Sequence, residues 1–148
     1  MIQNNSLKLP VEEFTTPNPD YVGPNDNIER IIQLMLNGGY RHIVVVQKGK
    51  AVGIVSDRDI HQALEENNND KVLLAKDIMS DNLYRAKSTT NIDEVVFNMS
   101  DKKIGSAIIE DEEGGIVGIF TRADALNALV EIIRGEANYE TFPKAVEG

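Results

Sequence analysis

The chain has 148 residues, 41% of them hydrophobic, and carries 15 Lys and Arg against 24 Asp and Glu, a formal charge of −9. This is one domain length with enough apolar material for a core that needs no disulfide or metal. With no Cys and two His, thiolate zinc sites, iron–sulfur clusters, catalytic cysteines and disulfide frameworks are excluded, and an acidic chain with short apolar runs is expected to be cytoplasmic and to bind neither nucleic acid nor a membrane surface.

In chain order, residues 1–10 read as a polar tail without the basic start and apolar block of a targeting segment. Asp26-Asn27 forms an N-cap pair. Ile28, Ile31, Ile32, Met35 and Leu36 follow at helical spacing up to Gly38-Gly39, which predicts a helix with one apolar face. Ile43 to Val46 and Val52 to Val55 are β-branched runs around the hairpin signal Lys48-Gly49-Lys50, and their unbroken apolar character predicts strands covered on both faces. A second helix is expected from about Asp57, with Ile60, Ala63 and Leu64 inward. Asn67-Asn68-Asn69-Asp70 reads as a turn or linker. Then Ile92, Val95, Val96 and Met99 predict a third helix, Ala107 to Ile109 and Ile116 to Phe120 two strands around Glu113-Gly114-Gly115, and a last helix runs from about Arg122 through Ile133.

The second half repeats the first. Sliding the sequence by 64 positions pairs Glu13 with Asp77, Asn27 with Asn91, Ile28 with Ile92 and Met35 with Met99. At an offset of 65, Val52-Gly53-Ile54 lies on Val117-Gly118-Ile119, Ser56 on Thr121 and Asp59 on Asp124. Copies of this size are too small to be independent domains, so they are expected to pack on each other about a pseudo-two-fold axis. The organisation is thus a tail (1–10), a first repeat (11–66), a linker (67–71), a second repeat (72–134) and a C-terminal tail (135–148).

Arg41-His42-Ile43-Val44-Val45-Val46 followed by Gly53-Ile54-Val55-Ser56-Asp57-Arg58-Asp59 resembles the CBS (cystathionine β-synthase) domain, whose closing signature is Gly, two apolar residues, Ser or Thr, two variable residues and Asp. Gly118-Ile119-Phe120-Thr121-Arg122-Ala123-Asp124 repeats it, and Asp77-Ile78-Met79 is similar to the family's opening motif. The first opening segment, Glu13-Phe14-Thr15-Thr16, departs from that motif, Val44 stands where the family often has Pro, and Gly105-Ser106 replaces the Arg-His of the first copy. The resemblance implies an α/β (α+β) fold of two pseudo-two-fold-related β-α-β-β-α repeats packed through their sheets. It also implies a non-enzymatic regulatory module that assembles as a homodimer, reports to a separate effector protein, and binds an adenine nucleotide, NAD or S-adenosylmethionine without any required cofactor. The alternative is a structural interaction module with empty clefts. An enzyme is the weakest reading, since no nucleophile has an evident base.

By the family's arrangement each cleft joins the closing motif of one copy to the opening segment and second-strand start of the other. A Ser56 cleft would hold Ser56, Arg58 and Asp59 with Ile78, Met79, Ser106 and Ala107. A Thr121 cleft would hold Thr121, Arg122 and Asp124 with Phe14, Thr15, Arg41, His42 and Ile43. The second ranks higher for a phosphorylated ligand, because Arg41 can donate a bidentate pair and His42 a further hydrogen bond; both could equally sit in surface ion pairs. Each Asp could accept from two ribose hydroxyls beside a helix N-terminus. Ser56-x-x-Asp59 and Thr121-x-x-Asp124 are also close to capping boxes, in which the carboxylate serves its own helix. Gly53 and Gly118 would allow close backbone approach or simple strand packing. Met35 and Met99 read as core and His61 as solvated; Lys102 and Lys103 lie near in sequence to the rim of the Ser56 cleft but read rather as a solvated helix end, and Glu110-Asp111-Glu112-Glu113 as a turn rather than a cation site.

Overall fold

A computed structural model describes residues 7–17, 20–67, 71–136 and 140–141. In chain order it runs β1 (Leu7–Lys8), a 3-10 turn (Val11–Phe14), β2 (Thr16–Pro17), β3 (Tyr21–Val22), α1 (Ile28–Gly38), β4 (His42–Gln47), β5 (Lys50–Ser56) and α2 (Asp57–Glu66). Then come α3 (Ala75–Ile78), β6 (Arg85–Lys87), α4 (Ile92–Lys102), β7 (Ser106–Glu110), β8 (Ile116–Thr121), α5 (Arg122–Ile133) and β9 (Glu140–Thr141).

Local chemistry sets these bounds. The Asn27 side chain accepts from the Arg30 amide at 3.0 Å to start α1, and Gly39 (φ 70°) ends it in the left-handed region. At the matching end of α4 that conformation falls to Lys103 (φ 56°). Between β4 and β5, Lys48 (φ 52°) and Gly49 (φ 76°) are both left-handed, the turn whose twist suits a two-residue hairpin.

The two copies form matching sheets. In one, β3 lies parallel to β4 and β4 antiparallel to β5; in the other, β6 lies parallel to β7, β7 antiparallel to β8, and β2 closes the far edge. Alternation along the strands divides the core. Ile43, Val45 and Val55 face α1 and α2 with Ile31 and Met35, whereas Ala107, Ile109 and Phe120 face α4 and α5 with Val95 and Met99. The opposite faces meet: Val44, Ala51 and Ile54 pack directly on Ile108 and Ile119. The strands are therefore covered on both faces and the repeats pack through their sheets, as the resemblance implied. At the hairpin edge Arg85 joins the sheets, pairing with Glu110 at 2.7 Å and donating to the Ala51 carbonyl.

Three positions on the apolar helix patterns read from sequence are not covered. Leu36, Leu64 and Val96 are exposed. Leu36 and Val96 follow directly on buried Met35 and Val95, and one residue turns about 100° around a helix, outside the narrow stripe that meets the sheet. In α2 Ile60 is buried and Ala63 partly covered, which leaves Leu64 in the last turn without a lid.

The opening segments are exchanged between the halves. Residues 9–17 lie on the second copy: Ile92 donates to the Leu9 carbonyl at 2.8 Å, Val11 to Thr90 at 2.8 Å, and β2 pairs with β8. Residues 73–80 lie on the first: Ile28 donates to Leu73 at 2.9 Å, Ala75 to Asp26 at 2.8 Å, and Ile54 and Ser80 exchange hydrogen bonds at 3.0 and 2.9 Å. The expected tails meet where they are described, as β1 pairs antiparallel with β9. Residues 68–70 of the linker turn and residues 1–6, 137–139 and 142–148 of the tails lie outside the described residues; Asn67 exchanges two hydrogen bonds with the Lys71 backbone.

Candidate functional site

Both closing motifs run from a strand into a helix, and both form complete capping boxes. In the first, the Ser56 hydroxyl accepts from the Asp59 amide at 3.2 Å, and Asp59 Oδ2 accepts from the Ser56 amide at 2.9 Å. In the second, the Thr121 hydroxyl accepts from the Asp124 amide at 3.4 Å, and Asp124 Oδ2 accepts from the Thr121 amide at 2.8 Å. The capping function weighed for these residues is thus present at both. It does not exhaust them, since a carboxylate has about four acceptor positions. Asp59 Oδ1 has no hydrogen-bond partner among the described residues, whereas Asp124 Oδ1 accepts from the Thr16 hydroxyl at 2.8 Å.

The hollows beside these motifs are open. The Ser56 cleft, about 470 Å³, lies between the two copies and receives Ser56, Asp57, Arg58 and Asp59 from one side and Ser106, Thr121 and Arg122 from the other. The N-termini of α2 and α5 therefore both border it, so the positive dipole ends of two helices add to its field. Arg41, Arg58, Lys103 and Arg122 line it against Asp57 and Asp59, an excess of positive charge inside a chain of net −9. Arg41 sits 4.0 Å from Asp57 in an exposed pair, while Arg58, Lys103 and Arg122 make no ion pair among the described residues. Gly105 is what lets Arg122 lie there, because a Cβ on it would meet the guanidinium Nη1 at 2.9 Å.

The Thr121 cleft is smaller, about 330 Å³, and is bounded by Thr16, Pro17, Tyr40, Arg41, His42, Thr121 and Asp124. Arg41 and His42 border both hollows. Burial holds the His42 imidazole below its ordinary value of 6.5, against the opposing pull of Asp57, Asp59 and Asp124, with Arg122 adding to the depression. Tyr40 donates to Asp20 at 2.7 Å, and desolvation first, then that hydrogen bond and the Asp20 charge, push its hydroxyl up to about 12.

Of the residues singled out from sequence, Ser56, Arg58, Asp59 and Ser106 meet around the larger hollow, and Thr121, Asp124, Arg41 and His42 around the smaller; Arg122 borders the larger one instead. Ile43 and Ala107 are buried in the helix-side cores, so only their backbone can face a ligand. Phe14 packs on the second core, and the Thr15 hydroxyl turns back to the Val11 carbonyl at 2.7 Å, leaving Thr16 and Pro17 to line the hollow. Ile78 and Met79 pack on the first core, Met79 filling the space left by the missing side chain of Gly53. Ser80, Asn82, Leu83, Tyr84 and Tyr40 line the hollows without having been singled out; only the offset of 64 that pairs Thr16 with Ser80 carried a signal for them. Met35 and Met99 are core, His61 is exposed beside Glu65 at 3.8 Å, and Asp111 caps its own turn by accepting from Glu113 and Gly115. Among the described residues no cluster of His, Asp or Glu could hold a metal, and no helix is long and apolar enough to cross a membrane.

Comparison with known proteins agrees with this architecture. The family model described as the CBS domain matches residues 11–66 and 75–131. The fold is similar to the crystal structure of the CBS domain pair of protein MJ0100 in complex with 5-methylthioadenosine and S-adenosyl-L-methionine, at TM-score 0.74 and 26% identity, covering 83% of this chain and 97% of that one. It is also similar to a conserved protein from Pyrococcus horikoshii, at TM-score 0.70 and 30% identity, covering 82% and 92%. By sequence it is 30% identical over 105 residues to protein MK0525 of Methanopyrus kandleri (70% of this chain, 54% of that one) and 27% identical over 128 residues to MJ1225 of Methanocaldococcus jannaschii (76% and 46%). The chain spans about half the length of these curated relatives.

Proposed function

The chain belongs to the CBS-domain family as a tandem pair of repeats, and from that membership we propose that it is a non-enzymatic regulatory module that binds an adenosine-bearing ligand between its repeats. One observation carries the reading. In the Ser56 cleft a carboxylate oxygen without a partner among the described residues, Asp59 Oδ1, stands at the mouth of a helix in the same hollow as Arg58, Lys103 and Arg122, which make no ion pair among those residues. A vicinal diol can donate to the first and a phosphate can accept from the others. The adenosine compounds in the MJ0100 domain pair, 26% identical to this chain, support the ligand class.

The cation excess favours an adenine nucleotide over S-adenosylmethionine, whose sulfonium would meet like charge. It also favours the Ser56 cleft over the Thr121 cleft, the reverse of the ranking from sequence, because Arg41 and His42 serve both hollows and, of the two motif carboxylates, Asp59 alone keeps an oxygen open among the described residues. Occupancy would act by population shift: a ligand touching both copies favours their closed arrangement by its differential affinity for the two states. This reading includes a cytoplasmic location, alongside the adenine-nucleotide pool, and a separate effector protein. Isothermal titration of ligand-stripped protein with AMP, ADP, ATP, NAD, S-adenosylmethionine and 5-methylthioadenosine tests it. Micromolar binding of the phosphorylated compounds is expected, and no heat with any of the six overturns it.

A homodimer is the second element of the reading. Val96, Met99, Leu126, Leu129 and Ile132 line an apolar groove of about 750 Å³ along α4 and α5, with Asp93 at one end of α4 and Lys103 at the other. A two-fold axis across this face would lay the apolar stripe of one copy on that of its partner, the self-complementary pattern of an isologous interface. The purely structural reading is favoured by one observation, that both capping boxes are complete without a ligand, and the same titration separates the two.

A further inference from the structure

The two hollows are related by the duplication, yet they differ in one hydroxyl. Thr16 and Ser80 occupy equivalent positions: Thr16 is the strand partner of Ile119 and Ser80 of Ile54, and both pairs lie on the internal repeat. At the Thr121 cleft the Thr16 hydroxyl donates to Asp124 Oδ1 at 2.8 Å, while Asp124 Oδ2 already accepts from the Thr121 amide at 2.8 Å and its hydroxyl at 3.2 Å. At the Ser56 cleft no hydrogen bond joins Ser80 to Asp59 among the described residues, although both line that hollow. Thr16 is held by more than its side chain. β2 pairs with β8, and its backbone crosses so close to Gly118 that a Cβ there would collide with the Thr16 carbonyl.

We propose that the Thr16 hydroxyl is a built-in surrogate for a ligand hydroxyl, so that the chain takes up one equivalent of a diol-bearing ligand, in the Ser56 cleft, and Thr16 is the residue that sets this stoichiometry. The inference rests on the adenosine-ligand reading above and adds which hollow works and why. Volume does not make the distinction, since about 330 Å³ is within the range of small-molecule sites. Hydrogen bonding does: a diol entering the Thr121 cleft must first displace a donor that is intramolecular and anchored by its strand, and exchanging one hydrogen bond for another yields little net free energy.

The experiment is calorimetric titration of AMP into wild type, Thr16→Val and Thr16→Val/Asp59→Ala, with thermal melts to confirm folding. Valine keeps the β-branched shape and removes the donor. Wild type is expected to bind one equivalent, Thr16→Val two, and the double variant one, the new site gaining about tenfold in affinity from the freed acceptor. Two equivalents in wild type, or one in a folded Thr16→Val, overturns the inference while leaving an adenosine site in place. No binding in any of the proteins overturns both. If Thr16→Val does not fold, Asp59→Ala in the wild-type background decides: complete loss of AMP binding supports the inference, and retention of the full equivalent overturns it.

Discussion

Ser56 and Asp59 hold each other across the first turn of α2, amide to carboxylate at 2.9 Å and amide to hydroxyl at 3.2 Å, and the carboxylate still keeps Oδ1 open. One side chain thus caps a helix and presents an acceptor to the cleft. Removing it has two separable effects. Asp59→Ala is expected to cost about 1 kcal/mol of stability, roughly 3 °C in melting temperature for a chain of this size, and to abolish AMP binding. Asp59→Asn keeps an acceptor for the Ser56 amide and should melt near wild type while binding at least tenfold more weakly. Equal affinity for all three proteins would limit Asp59 to capping.

His42 makes stability and binding depend on pH in opposite senses. Burial lowers its folded pKa below 6.5, so below that value the unfolded chain binds more protons. The stability it contributes is complete above pH 6.5 and is lost as pH falls through the depressed value. His42→Gln should flatten that part of the melting curve. A phosphate beside the imidazole favours its charged form, so nucleotide binding should take up protons below pH 6.5, read as a binding enthalpy that changes with buffer ionisation heat. Buffer-independent heats at pH 6 would remove His42 from the phosphate site.

Gly53 and Gly118 are equivalent in the repeat but face different neighbours. A Cβ on Gly53 meets the flexible Met79 side chain, while one on Gly118 meets the Thr16 carbonyl. Gly53→Ala should cost about 1 kcal/mol and Gly118→Ala about 3 kcal/mol or more, the range over which overpacking is absorbed or not. Urea denaturation measures both, and equal costs would contradict the exchanged position of β2.

Tyr40 donates to Asp20 at 2.7 Å with its own pKa raised from 10.0 to about 12. A raised folded pKa gives stability that is intact below pH 10 and lost as pH rises through 12. Tyr40→Phe should lose about 1 kcal/mol at neutral pH and lack the wild-type decline between pH 10 and 12.

On the α4–α5 face, Leu126 and Leu129 are 65% and 53% exposed. Replacing both with Lys should leave the monomer's stability within about 1 kcal/mol and shift sedimentation from dimer to monomer. An unchanged dimer would place the interface elsewhere.

The duplication, the helices with their caps, the hairpins and the two-sided apolar strands were all written in the sequence, because each depends on neighbours within about ten positions or on a repeat offset. The closing motifs were legible for the same reason, down to the capping geometry of Ser56 with Asp59. Which stripe of a helix is covered was less so: Leu36 and Leu64 fit the local period, but exposure depends on how wide a stripe the rest of the fold covers. The exchange of opening segments decided more still. It brings Thr16 to Asp124, 108 positions away, and leaves Ser80 apart from Asp59. Two motifs that read alike in sequence thus differ in the free valence of one carboxylate oxygen, a difference that arises only when chain segments from opposite halves share a hydrogen bond.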